Sequence, residues 1–122
     1  METLGERMLL AGFSVKGSVS EGEVMVLIED VITTIEVLPA HVPAMYSYPV
    51  VGKGGKGFTF IQPITESFIA FDAWPDHGGG YLIISSCKYF SPPDVRKVIE
   101  RRGLKVTGMM NEGLTLVCDA IV

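Results

Sequence analysis

The chain has 122 residues, 48% hydrophobic and 20% charged, which is a globular mix and enough for a single domain spanning 1–122. Fourteen acidic residues against ten basic ones give a net charge of −4, and no long basic run occurs, which argues against nucleic acid or an anionic membrane surface as partner. No stretch approaches the roughly 18 apolar residues that cross a bilayer, and Met8–Ala11, preceded by Glu2 and Glu6, is too short for a leader core, so a cytoplasmic protein is expected.

Arg7–Ser14 is apolar enough for a first strand. Ser20-Glu21-Gly22-Glu23 has the form of a capping box, in which the hydroxyl and the carboxylate each satisfy a backbone N–H of the first turn. Behind it Val24, Leu27, Ile28, Val31, Ile35 and Leu38 recur at helical spacing, and Pro39 and Pro43 stop the helix. Ala44–Val51 reads as a strand in which Pro49 marks an edge or a bulge. Gly52–Gly57 is a flexible turn. A phosphate-cradling loop needs a helix after its glycines, whereas Phe58-Thr59-Phe60 reads as strand.

Phe58–Ile64 and Ser67–Trp74 are predicted strands, the second alternating Phe68, Ala70 and Asp72 against Ile69, Phe71 and Ala73. Pro75–Gly80 is a loop carrying a solvated His77, and Tyr81–Cys87 is a further strand. Ser91 caps a second helix with Pro92 at its first position; Val95, Val98 and Ile99 form its apolar stripe, and Gly103 ends it. Leu104–Met110 and Gly113–Ile121 finish the chain as two strands around an Asn111-Glu112-Gly113 turn.

Two helices cannot cover both faces of so many strands. The expected fold is an α+β two-layer sandwich, a mostly antiparallel sheet with the two helices on one face. With a mean hydropathy of +0.36, the other face is expected to meet a second copy, giving a homodimer. Cys87 and Cys118, with two histidines and no CxxC, do not make a structural zinc site; no metal is expected, and both cysteines read as thiols or small core residues. Taken alone, Ser67 is an ordinary serine at a strand start, and Trp74 is a packing residue that can also line a ligand pocket.

The stretch Thr59-Phe60-Ile61-Gln62-Pro63-Ile64-Thr65-Glu66-Ser67-Phe68-Ile69-Ala70-Phe71-Asp72-Ala73-Trp74-Pro75-Asp76-His77, continued through Tyr81-Leu82-Ile83-Ile84-Ser85-Ser86-Cys87-Lys88, resembles the processing-site region of the small prokaryotic S-adenosylmethionine decarboxylases. Glu-Ser, Trp-Pro-acid and the distant cysteine all stand at the family's spacing. The likeness covers residues 59 to 88 well and the remainder loosely.

The resemblance implies a pyruvoyl enzyme of polyamine synthesis whose prosthetic group comes from its own backbone. The Ser67 hydroxyl would attack the carbonyl of Glu66, turning the amide into an ester. Loss of the Ser67 Cα proton then leaves dehydroalanine, which hydrolyses to a pyruvoyl group, with chains of 66 and 56 residues as products. The ketone takes the amine of a small-molecule substrate, S-adenosylmethionine or an amino acid, and acts as an electron sink for decarboxylation. By the same resemblance Cys87 returns a proton to the carbanion, Thr59 holds the scissile carbonyl oxygen, and Glu66 and Trp74 contact substrate.

Two positions depart from the family, which has histidine where this chain has Phe68 and Asp72. The second is the base credited with self-processing, and the reference pKa values of about 3.9 for Asp and 6.5 for His make Asp72 a weaker base at neutral pH. The sequence therefore supports two readings. One is an active decarboxylase; the other is an unprocessed, non-catalytic homologue acting as a dimeric binding or regulatory module.

Overall fold

The computed structural model describes the backbone of residues 2–118 and the side chains of residues 7–115. In chain order its elements are β1 (Glu2–Lys16), α1 (Glu21–Ile35), β2 (Ala44–Pro49), β3 (Lys56–Ile64), β4 (Ser67–Trp74), a short 3-10 turn (Pro75–His77), β5 (Gly79–Ser86), α2 (Pro92–Arg101) and β6 (Lys105–Cys118). The six strands form one sheet in the order β2-β3-β4-β5-β1-β6, and each neighbouring pair is antiparallel. The expected α+β sandwich is the observed architecture. Pro49 does sit on an edge strand, where its missing N–H breaks no interior ladder.

Alternation sorts the sheet into two faces. Ala11, Phe13, Val15, Phe58, Phe60, Ile69, Phe71, Leu82 and Ile84 are buried in one cluster with Val24, Leu27, Ile28 and Val31 of α1 and Val95, Val98 and Ile99 of α2. Tyr46, Phe68, Tyr81, Ile83, Met110 and Leu114, from the opposite face, are exposed. Both helices therefore cover the same face, and the other is an apolar surface bare in the single chain.

Three expectations are corrected. The Asn111-Glu112-Gly113 segment does not turn: it lies in the middle of β6, paired with Ala11, Leu10 and Leu9. β1 starts earlier and ends later than Arg7–Ser14, so it offers ladder partners along the whole of β6, and paired backbone groups outweigh a local turn preference. The part of the predicted last strand beyond Cys118 lies outside the described residues. Cys87 is not a core residue but exposed, since it follows the last residue of β5; the Cys118 side chain lies outside the described residues.

The third correction is the end of α1. Its start is as expected: the Glu23 N–H donates to Ser20 Oγ at 3.3 Å and the Ser20 N–H to Glu23 Oε1 at 3.2 Å. The helix stops at Ile35 rather than running to Leu38, because Glu36 takes the left-handed conformation at φ +58°. Its last turn holds no basic residue, and Lys88 Nζ supplies the cation by donating to the Glu36 carbonyl at 2.6 Å. A left-handed residue with a Cβ costs roughly 1–2 kcal/mol that glycine avoids. Glu36→Gly, which keeps the backbone carbonyl, is thus expected to raise the urea midpoint by an amount equivalent to about 1 kcal/mol.

Candidate active site

Ile64 and Ser67 pair across the β3–β4 hairpin, which leaves Thr65-Glu66 as a two-residue turn. Ser67 leaves that turn at φ +154°, one of two non-glycine residues with positive φ among the described residues. Such backbone is populated essentially by glycine, and a side chain there stores of order 1–3 kcal/mol of strain. Strand alternation would put Ser67 with Ile69 on the helix-covered face. Its hydroxyl nevertheless donates to Ser85 Oγ at 3.0 Å, although Ser85 shares the opposite face with Tyr81 and Ile83.

The residues after β5 close on the other half of the same peptide. The Cys87 backbone N–H donates to the Glu66 carbonyl oxygen at 3.0 Å. The Glu66 carboxylate accepts from the Thr65 hydroxyl at 2.6 Å, and this hydrogen bond is the main reason its pKa lies below the ordinary glutamate value, with Lys88 a minor contributor. Beside this point lies a cavity of about 580 Å³ lined by Arg7, Met8, Leu9, Ser86, Cys87 and Tyr89. That volume falls within the range of small-molecule sites. Of the residues proposed from the sequence as catalytic (Ser67, Cys87, Asp72) and processing (Glu66, Ser67, Thr59), Glu66, Ser67 and Cys87 are therefore neighbours.

Thr59, Asp72 and Trp74 are not beside them. Asp72 is five residues along β4 from Ser67, a separation of about 17 Å at the rise of an antiparallel strand. Thr59 is its direct cross-strand partner and donates to Asp72 Oδ1 at 2.6 Å, with the Tyr48 hydroxyl 3.2 Å from Thr59 Oγ1. Trp74 stands at the far end of the strand, its ring edge-on to Tyr81 at 5.3 Å between centroids. There a second cavity of about 460 Å³ is lined by Lys53, Trp74, His77 and Tyr81. His77 is exposed, as expected, with its Nε2 2.9 Å from the Gly54 carbonyl.

Sequence reasoning passed over Ser85 and Arg7. Ser85 meets the site through its hydroxyl bond to Ser67 and Arg7 by lining the cavity, and neither stands in a motif that signals it.

No family model matches the sequence, and no curated protein matches it. Among solved structures, the adenosylmethionine decarboxylase from Aquifex aeolicus is similar, with a TM-score of 0.54 and 12% identity over 97% of this chain and 98% of that one. The two share a fold from end to end. At this identity the likeness speaks for architecture only.

Proposed function

We propose that this chain is a pyruvoyl-dependent decarboxylase of the S-adenosylmethionine decarboxylase type, which makes its prosthetic group by self-cleavage between Glu66 and Ser67. The observation that carries this reading is the state of that one peptide. Ser67 sits in strained backbone, its hydroxyl is held by Ser85, and the carbonyl it must attack is polarised by the Cys87 N–H. A backbone N–H aimed at that oxygen favours the negative charge that develops there as the carbonyl is attacked. Strain at Ser67 is released as the amide is exchanged for an ester.

The cleavage balances without a co-reactant beyond water. Ser67 Oγ bonds to the Glu66 carbonyl carbon, the C–N bond breaks, and the hydroxyl proton ends on the freed amine. Removal of the Ser67 Cα proton expels the new main-chain carboxylate at the end of residue 66, and hydrolysis of the resulting enamine releases ammonia. When present, a ketone at residue 67 supplies an electron sink for loss of carbon dioxide from an amine-bearing carboxylate. Cys87, exposed beside the cavity, is the group placed to return a proton, and a thiol with a reference pKa of about 8.5 carries one at neutral pH. Arg7 gives the cavity lining a cation for the substrate's carboxylate.

The bare sheet face is proposed as a homodimer interface. Within one chain, Asp72 cannot act on a serine about 17 Å away. A second copy stacked on this face carries its own Thr59–Asp72 pair against the first copy's strands, which is the route by which Asp72 reaches a Ser67.

Intact mass of the purified chain, followed during warm incubation, tests the proposal. Fragments of 66 and 56 residues are expected from the natural sequence, and one 122-residue species from Ser67→Ala. A single full-length mass from both overturns it. The second reading, an unprocessed binding module, is favoured by one observation: the side-chain partner of Ser67 is another hydroxyl, not a base. That reading predicts the single mass.

A further inference from the structure

We infer that Ser85 is a positioning residue for the self-cleavage proposed above, holding the Ser67 hydroxyl in its attacking orientation; the inference rests on that reading. Ser85 is 2% exposed, in the middle of apolar company. Its cross-strand partners are Leu10 on β1 and Phe68 on β4, and Ile83 precedes it on the same face. A hydroxyl buried among such neighbours costs free energy unless it is hydrogen-bonded. Ser67 is the partner it has, at 3.0 Å.

The bond matters because a serine side chain is otherwise free to choose among three staggered rotamers. With its O–H directed to Ser85, Ser67 is fixed in one of them, and its lone pairs remain for the Glu66 carbon. Two residues further along the chain, the Cys87 N–H fixes the carbonyl oxygen of that same carbon. One strand end thus grips the nucleophile through residue 85 and the electrophile through residue 87. Strand alternation alone would place the two hydroxyls on opposite faces, and the positive φ of Ser67 is what brings them together. The strain at Ser67 and the burial of Ser85 serve the same geometry. In the step itself, the Oγ–C bond forms, the C–N bond breaks, and the Ser67 hydroxyl proton is transferred to the released amine; Ser85 is unchanged at the end.

The test compares the full-length natural chain with Ser85→Ala, Ser85→Cys and Ser85→Thr. Time courses are followed by intact mass with and without hydroxylamine, which traps the ester and so reads the acyl shift apart from the later elimination. Thermal midpoints are measured alongside. Misplacing a reacting group by about 1 Å costs on the order of 100-fold. Ser85→Ala and Ser85→Cys are therefore expected to form the trappable ester about 10- to 100-fold more slowly. Ser85→Thr, which restores the hydroxyl, is expected to recover most of the rate. A merely structural serine would move the midpoint without this split between hydroxyl-bearing and hydroxyl-free variants. Ser85→Ala forming ester at the natural rate overturns the inference alone, as does Ser85→Thr proving as slow as Ser85→Ala at an equal midpoint. A natural chain that forms neither ester nor fragments overturns the self-cleavage reading and this inference together.

Discussion

Asp72→His is expected to speed self-cleavage by about 10²- to 10⁴-fold, the usual worth of a positioned acid–base group, and to do so only where the chain is dimeric. The chemistry lies in the second proton: after the acyl shift, the Ser67 Cα proton must be taken by a base. An imidazole with a reference pKa near 6.5 is about three-quarters unprotonated at neutral pH and accepts far more readily than a carboxylate near 3.9. The site at 72 is already built to hold such a group, because Thr59 donates to it at 2.6 Å and Tyr48 buttresses Thr59. The restriction to the dimer follows from the strand. Five residues of extended chain cannot fold back, so under the proposed dimer a base at 72 would serve a Ser67 on another copy. The measurement is the cleavage rate by intact mass over a range of protein concentrations, with sedimentation giving the dimer fraction at each. Acceleration that tracks the dimer fraction is the expected result. No acceleration at any concentration would mean that a missing base is not what limits the reaction. Equal acceleration in the monomer would remove the cross-copy arrangement.

The separation of Asp72 from Ser67 shows where sequence reading stops. Local chemistry was legible. Ser20 and Ser91 cap the helices they were expected to cap, because a cap is a matter of three or four consecutive residues. The alternation of Ile69, Phe71 and Ala73 against Phe68, Ala70 and Asp72 matches the buried and less buried faces of β4, because period two is a property of any strand. Strand pairing was not legible. Asn111-Glu112-Gly113 carries turn residues, and only the length of β1 reveals that they are held straight. Cys87 has the composition of a core position, yet one step past the end of β5 exposes it. At the site, Glu66, Ser67 and Cys87 are neighbours, whereas Asp72, Thr59 and Trp74, named with them from the sequence, lie elsewhere on the sheet. Ser85 was hidden because its bond to Ser67 joins strands eighteen residues apart in sequence and depends on a backbone angle that no residue type announces.

Gly80→Ala is expected to be the most destabilising small change in the sheet. In the sequence Gly80 closes a run of three glycines and reads as loop; in the structure it is a buried residue of β5 opposite Ala73. Its φ is not positive, so the objection to a side chain is space alone. A Cβ built there would stand 2.2 Å from the Asp72 carbonyl oxygen, 2.7 Å from the Phe71 ring and 3.2 Å from the Ala73 Cα. The first and third of these are backbone, and Phe71 is fully buried, so no neighbour can rotate away. Relief requires β5 to draw off β4 and lose ladder bonds near the Asp72–Tyr81 pair. Overpacking of this kind costs about 3 kcal/mol when the surroundings are rigid, which for a domain of this size lowers the thermal midpoint by roughly 10 °C. Gly113→Ala is the control: a Cβ there meets nothing within 4 Å, and stability should stay within about 0.5 kcal/mol of the natural chain. An unchanged midpoint for Gly80→Ala would mean that β4 and β5 are less tightly apposed than described. Because Gly80 lies at the Trp74 end of the sheet and Ser67 at the other, the folded fraction of the variant should still form ester at Ser67 at the natural rate, while the Thr59–Asp72 pair beside the displaced carbonyl is disturbed. Stability and acyl transfer are thereby separated along a single strand.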